Sequence, residues 1–229
     1  MADMSRYVFP LLLGIVGVAI LCSLGTWQVR RLAWKEAMLA DIEARIAAPA
    51  VDLATVTAPD PERDQYLPVM VRGRTTGQEA DVLSGLKEQG TGFEIISAFE
   101  TSDGRRILLD RGFVPEAQKD AARPPVDLVV TGNLEWPNEA DTYTPEPDLS
   151  ANLWFARNVA DMAASLKTDP ILVVIRTAEG DAQGILPMPV DTSGIPNDHL
   201  NYAITWFSLA AVWAGMTLYL LWRIRRRTA

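Results

Sequence analysis

His199 is the only histidine in the chain, and it stands in NDHLNYAITWF, where a polar loop gives way to an apolar run. An imidazole can move a proton near neutral pH or give a lone pair to a metal. On a helix, His199, Tyr202 and Trp206 fall at i, i+3 and i+7 and share one face, with Asn201 and Thr205 beside it. An imidazole backed by flat aromatics can serve as an axial ligand for a haem lying against the helix. The plainer alternative is a polar helix-end residue at the level of lipid headgroups. Towards the other end, LGTWQVRRLAWK offers Trp27 as a stacking surface and Arg31 and Lys35 as partners for haem propionates. The alternative there is an aromatic belt with snorkelling cations.

The remaining inventory speaks against an enzyme. With one histidine, and with Cys22 the one cysteine, the common Ser-His and Cys-His nucleophile pairs have no members in the middle of the chain. The same shortage excludes disulfides and Cys-ligated metals there. Copper handling would need Cys pairs or His and Met clusters, and Met188 alone does not supply them. No glycine-rich phosphate loop follows a strand. The formal net charge is −8. An acidic surface repels phosphate backbones, so nucleic acid is not an expected partner.

The elements that must position these residues are two uncharged apolar runs, Tyr7 to Trp27 and Tyr202 to Trp222. Each is about 20 residues long, enough at about 1.5 Å per residue to cross a roughly 30 Å hydrocarbon layer. Tyr7, Trp27, Tyr202 and Trp222 frame them as interfacial anchors. The expected organisation is a first transmembrane helix over 7–27, an outer domain over 28–198, a second transmembrane helix over 199–222 and a basic tail over 223–229. No small-x-small cleavage site follows the first run, so that helix is expected to be retained. Leu21 before Cys22 speaks against a lipoprotein anchor. Arg223, Arg225, Arg226 and Arg227 put the tail in the cytoplasm by the positive-inside rule, although Arg30, Arg31 and Lys35 pull the other way. Two spans then return the N-terminus to the same side and leave the middle across the membrane, with membrane lipid as a neighbour. If the spans pair through Gly14 and Gly17 on one and Ala211 and Gly215 on the other, Trp27 and His199 come to the same depth.

Between the spans, helical spacing continues after Trp27 and stops before Pro49. From Val69 the period changes to two. VMVRGRTT, ADVLSGLK, FEIISAFET, RRILLDRGFV, VDLVVTGNLEW and ILVVIRTA read as strands. Gly77-Gln78, Gly90-Thr91-Gly92 and Ser102-Asp103-Gly104 read as turns between them. PNEADTYTPEPDLS is a polar loop, and NLWFARNVADMAASL reads as a short strand and a helix capped by Asn158. The expected class is an α+β membrane protein: two transmembrane helices flank a mostly antiparallel β domain, a small closed or half-closed sheet with one or two short helices.

Four ordered segments resemble the Surfeit-locus (SURF1) family of cytochrome c oxidase assembly factors. Leu24-Gly25-Thr26-Trp27-Gln28, with Arg31 and Lys35, is similar to the family's LGxWQ opening. LLDRGFVP (Leu108 to Pro115) resembles its LVNRGWVP signature, and NLWFAR followed by DMA its MWFxRDxxxMA segment. Asn197, His199, Tyr202, Ala203, Thr205, Trp206 and Phe207 fit NxHxxYAxTWF. Asp110, Phe113 and Asn158 depart from the usual Asn, Trp and Asp. The resemblance implies a non-enzymatic role in building the haem a centres of the terminal oxidase, as a chaperone that binds haem a as cargo and assists its insertion into the oxidase large subunit. The family's candidate haem iron ligand maps onto His199; Trp27, Tyr202 and Trp206 would form the apolar wall and Arg31 and Lys35 meet the propionates. The implied partners are the large subunit and other oxidase assembly factors, with haem a synthase as a further candidate. The implied setting is a bacterial inner membrane, with both termini cytoplasmic and the central domain periplasmic. The alternative is a scaffold that stabilises an oxidase assembly intermediate without touching haem.

Overall fold

The structure, a computed structural model, describes residues 5–87 and 89–228; Ala229, at the end of the expected basic tail, lies outside them. In chain order the elements are α1 (Ser5–Ile46), β1 (Val51–Asp52), α2 (Pro61–Asp64), β2 (Pro68–Leu86), β3 (Gly90–Thr101), β4 (Arg106–Pro115), β5 (Asp127–Leu134), β6 (Leu153–Trp154), α3 (Val159–Leu166), β7 (Leu172–Glu179) and α4 (His199–Thr228). Two compact units result: the chain up to Asp41 with that from Thr192 onward, and Ile42–Asp191.

The first unit pairs α1 with α4. Both are long and apolar enough to cross a membrane, and only 11% and 6% of their apolar windows is buried. A core helix of a soluble domain hides such a surface; these leave it open. The more buried positions of α1, Gly14, Val18, Leu21, Gly25, Gln28, Leu32 and Lys35, advance by alternating four and three residues. That is the seam of a helix meeting a partner at a period of about 3.5. On α4 the corresponding seam starts at His199, Ala203, Trp206 and Ala210. Gly14 faces Thr217, Gly17 faces Trp213 and Gly25 faces Phe207, so the helices are antiparallel. The expected small residues of α4 are not those that pack. Ala211 is exposed and nothing lies within 4 Å of a Cβ built on Gly215. They sit one step off the seam, and Ala203 and Ala210 take their place.

The second unit is a closed barrel. β2, β3, β4, β7 and β5 are hydrogen-bonded in that order, and β5 returns to β2. All of these contacts are antiparallel except β4–β7. Alternate residues serve two cores. Ile107, Leu109, Val173 and Ile175 fill one cluster with Phe99, Val69 and Leu53. Leu108, Leu172 and Val174 join the other, against Trp154 and the apolar face of α3. Strands buried on both faces read as unbroken apolar runs, as ILVVI does here. Asn158 caps α3, its side chain accepting from the Asp161 amide. The end of α1 is also held: the Ile46 carbonyl accepts from Asn133 Nδ2 at 3.1 Å and Arg176 Nη1 at 3.2 Å. These bonds satisfy a helix-end oxygen that has no partner of its own.

The turn assignments divide. Ser102-Asp103-Gly104 is a hairpin turn, with Gly104 at φ +88° and its amide bonded to the Thr101 carbonyl. Gly77-Gln78 is not a turn. VMVRGRTT and ADVLSGLK form one strand, β2, and its register against β3 shifts between Thr75 and Glu79. Four steps along β2 there oppose two along β3, and such extra residues bend the strand while the ladder continues on both sides. Gly90-Thr91-Gly92 lies inside β3, where Gly92 lets Phe113 and the Val114 carbonyl approach closely.

Candidate functional site

His199 opens α4 on its seam, and Gln28 lies on the seam of α1. The His199 ring meets Gln28 through Nδ1, 2.8 Å from the amide Oε1. Gln28 is only 8% exposed, although its helix is open over most of its surface. A buried amide is costly without a hydrogen bond, and this contact supplies one. Gln28 belongs to the LGTWQ motif, yet helical spacing from Trp27 does not single it out as a site residue. The alternation of four and three residues running through Gly14, Gly25 and Leu32 is the signal that finds it.

Around this contact the structure arranges the expected residues unequally. Trp206 is half-buried on the seam, and Lys35 is half-buried further along α1. Trp27 and Tyr202 are 56% and 55% exposed. Arg31 is exposed, with its guanidinium 3.9 Å above the ring of Trp34. Successive residues of an α-helix turn by about 100°. In two antiparallel helices, Trp27 and Arg31 on α1 and Tyr202 on α4 therefore face the same flank of the seam. Gly25 and Phe207, which pack on each other, face the opposite one. Gln28 and His199 thus meet beside a flank that also carries an exposed indole, a phenol and a cation. Such a surface can take a flat, largely apolar molecule edged by negative charge, and its imidazole can bind a metal at the centre of that molecule.

The two middle motifs do something different. Asp110, from LLDRGFVP on β4, and Arg157, from NLWFAR after β6, form the hub of a part-buried network. Arg157 Nη1 lies 3.1 Å from Asp110 Oδ2 and 3.3 Å from Glu135 Oε2. Its Nη2 is 2.5 Å from Glu139 and its Nε 3.5 Å from Glu94. One guanidinium thus serves four carboxylates. Burial, with the Glu94 charge beside it, pushes Asp110 up to about 7 against the pull of Arg157. Burial also raises Glu135. For Arg157 burial pulls the pKa down, but the bond to Glu139 and the charges of Asp110, Glu94 and Glu135 outweigh it and raise it. Arg111, next in the motif, is buried; its Nη1 donates to Gln183 Oε1 at 2.8 Å and its Nη2 to backbone carbonyls of Asp181 and Ala182. Gly112 then takes φ +109°, with the Leu186 carbonyl 2.0 Å from where a Cβ would stand. Only glycine fits that crossing. These motif residues tie β4, the segment after β6 and the 181–187 loop into one piece.

Comparison with known proteins identifies the family. A family model described as "SURF1 family" matches residues 15–211. A "SURF1-like protein" of Monosiga brevicollis is 33% identical over 86% of this chain and 82% of its own length. "Surfeit locus protein 1" of Xenopus tropicalis is 30% identical, covering 82% and 68%. A "SURF1-like protein" of Rickettsia conorii is 27% identical, covering 90% and 88%. The matched span runs from the first turns of the α1 seam through the whole barrel to the start of α4, His199 included, and on that ground the chain belongs to the SURF1 family.

Proposed function

We propose that this protein is a non-enzymatic assembly factor for cytochrome c oxidase, the process with which its family is associated, and that it carries haem a as cargo. The observation that carries the reading is the cross-helix contact of His199 with Gln28, with the exposed aromatics Trp27 and Tyr202 and the cation Arg31 on the same flank. A haem a is flat and apolar, with propionates at one edge and an iron that takes nitrogen ligands. His199 would ligate the iron, the aromatics would cover the ring, and Arg31, aided by Lys35, would meet the propionates. Iron bound there gains a single protein ligand from the chain's only histidine, which suits a carrier that must let go.

The exposed apolar surfaces of α1 and α4 support a two-span protein of an inner membrane. The Arg223–Arg226 cluster supports cytoplasmic termini and a periplasmic barrel. The receiving partner would be the oxidase large subunit, alongside other assembly factors, with haem a synthase as donor.

The test is a visible spectrum of the protein purified from cells that make haem a, beside His199→Ala. A Soret band in the first that is lost or displaced in the second is expected. No Soret band in either would favour a scaffold that never touches haem. Identical bands in both would remove His199 as ligand.

A further inference from the structure

We infer that Gln28 is a positioning residue for the haem iron ligand: its amide oxygen holds His199 with the proton on Nδ1, so that Nε2 presents its lone pair to the metal. The inference rests on the haem-carrier reading of the same flank.

A neutral imidazole has one N–H and one lone pair, and the bond made by one nitrogen decides the role of the other. The Gln28 Oε1 lies 2.8 Å from Nδ1 and can only accept. Nδ1 therefore donates, and Nε2 is left as the base. Metal-binding histidines commonly give their second N–H to an oxygen in this way, which fixes both tautomer and ring orientation. Here that oxygen is on the other helix. The ring is consequently held by a group 171 residues away in the chain. Gln28 is buried on a seam between Gly25 and Leu32, neither of which offers its amide another side-chain partner.

The choice of an amide matters chemically. A carboxylate at this place would draw the Nδ1 proton towards itself, giving the ring imidazolate character and binding oxidised iron more strongly. A neutral amide orients the ring with less electron donation. The contact thus sets ligand strength as well as direction, and a moderate ligand is what a cargo carrier requires.

Three variants test this in the full-length protein in detergent: Gln28→Glu, Gln28→Leu and His199→Ala. Haemin is titrated into each haem-free preparation, and the bound form is followed by its Soret band and midpoint potential. Gln28→Leu should weaken haemin binding by about tenfold to a hundredfold, the usual effect of losing the group behind a metal-bound histidine. Gln28→Glu should keep binding while lowering the midpoint potential and shifting the Soret band. Thermal unfolding of the haem-free variants separates lost helix pairing from lost ligation. If wild type binds haemin and His199→Ala does not, yet both Gln28 variants match wild type in affinity, spectrum and potential, Gln28 only joins the helices and the inference is wrong. If wild type itself binds no haemin and carries no haem from cells that make haem a, it is the haem-carrier reading that fails.

Discussion

Asp81 on β2 shows how one side chain can set the pH response of the barrel. It is buried; Oδ2 lies 3.7 Å from Lys119 Nζ, and Oδ1 is enclosed with no hydrogen-bond partner among the described residues. Burial, reinforced by the charge of Glu79, pushes its carboxyl up to about 6 despite Lys119 and Arg123. In an unfolded chain an aspartate titrates near 3.9, so between about pH 4 and about pH 6 the native state keeps a proton that the unfolded state has lost. The contribution of Asp81 to stability therefore falls as pH rises through that window and is level above it. Asp103, which the Thr101 hydroxyl holds below the usual range, works in the opposite sense at lower pH. Denaturant titration of Asp81→Asn should show a flatter profile between about pH 4 and about pH 6, and a gain on the order of 1 kcal/mol at about pH 8. A variant that follows the wild-type curve would mean that Asp81 titrates alike in the folded and unfolded states. At this scale His199 is legible in the sequence because it is the only one of its kind and its neighbours are aromatic. Gln28 is not, since its burial depends on the register of a second helix far along the chain. The joining of Asp110 to Arg157 is likewise hidden by the strands between them.

Among the elements, the period of the apolar residues gives away type more readily than extent. The strands are visible as alternation or as apolar runs. The continuity of β2 through Gly77 is not, because a glycine beside polar residues is written the same way for a bulge and for a turn. The helix seam behaves similarly: both spans are rich in small residues, and only the pairing decides which of them matter. That makes a matched pair of substitutions informative. A Cβ on Gly14 would lie 2.2 Å from Thr217 Cγ2, a branched side chain with little room to turn, whereas Gly215 has nothing within 4 Å. Gly14→Leu should lower the stability of the helix pair by about 1–3 kcal/mol, in the range of overpacked contacts, and Gly215→Leu should leave it unchanged. Thermal unfolding in detergent reads both, and equal melting of the two variants would show that the seam does not pass through Gly14.

For the molecule as a whole, the arrangement across the membrane is the property on which the proposed role depends. In a Cys22→Ser background, a cysteine placed at the exposed hairpin residue Ser102 should react with a membrane-impermeant maleimide in intact spheroplasts. One appended after Ala229 should react only once the membrane is opened. The reverse pattern would put the barrel with the cytoplasm and the flank of the helix pair at the wrong surface for a periplasmic hand-over. Barrel closure also governs how other proteins can hold this one. β2, β3, β4, β7 and β5 spend their backbone bonds on one another round the ring, and β1 and β6 are two residues each. The ring closes between β4 and β7 over three residue pairs only, Leu108–Leu172, Leu109–Val173 and Asp110–Val174, so a visiting strand would have to compete with short pairings there. Where the ring is fully paired, a partner must read side chains and loop tips, and there its grip can be altered residue by residue without disturbing the fold.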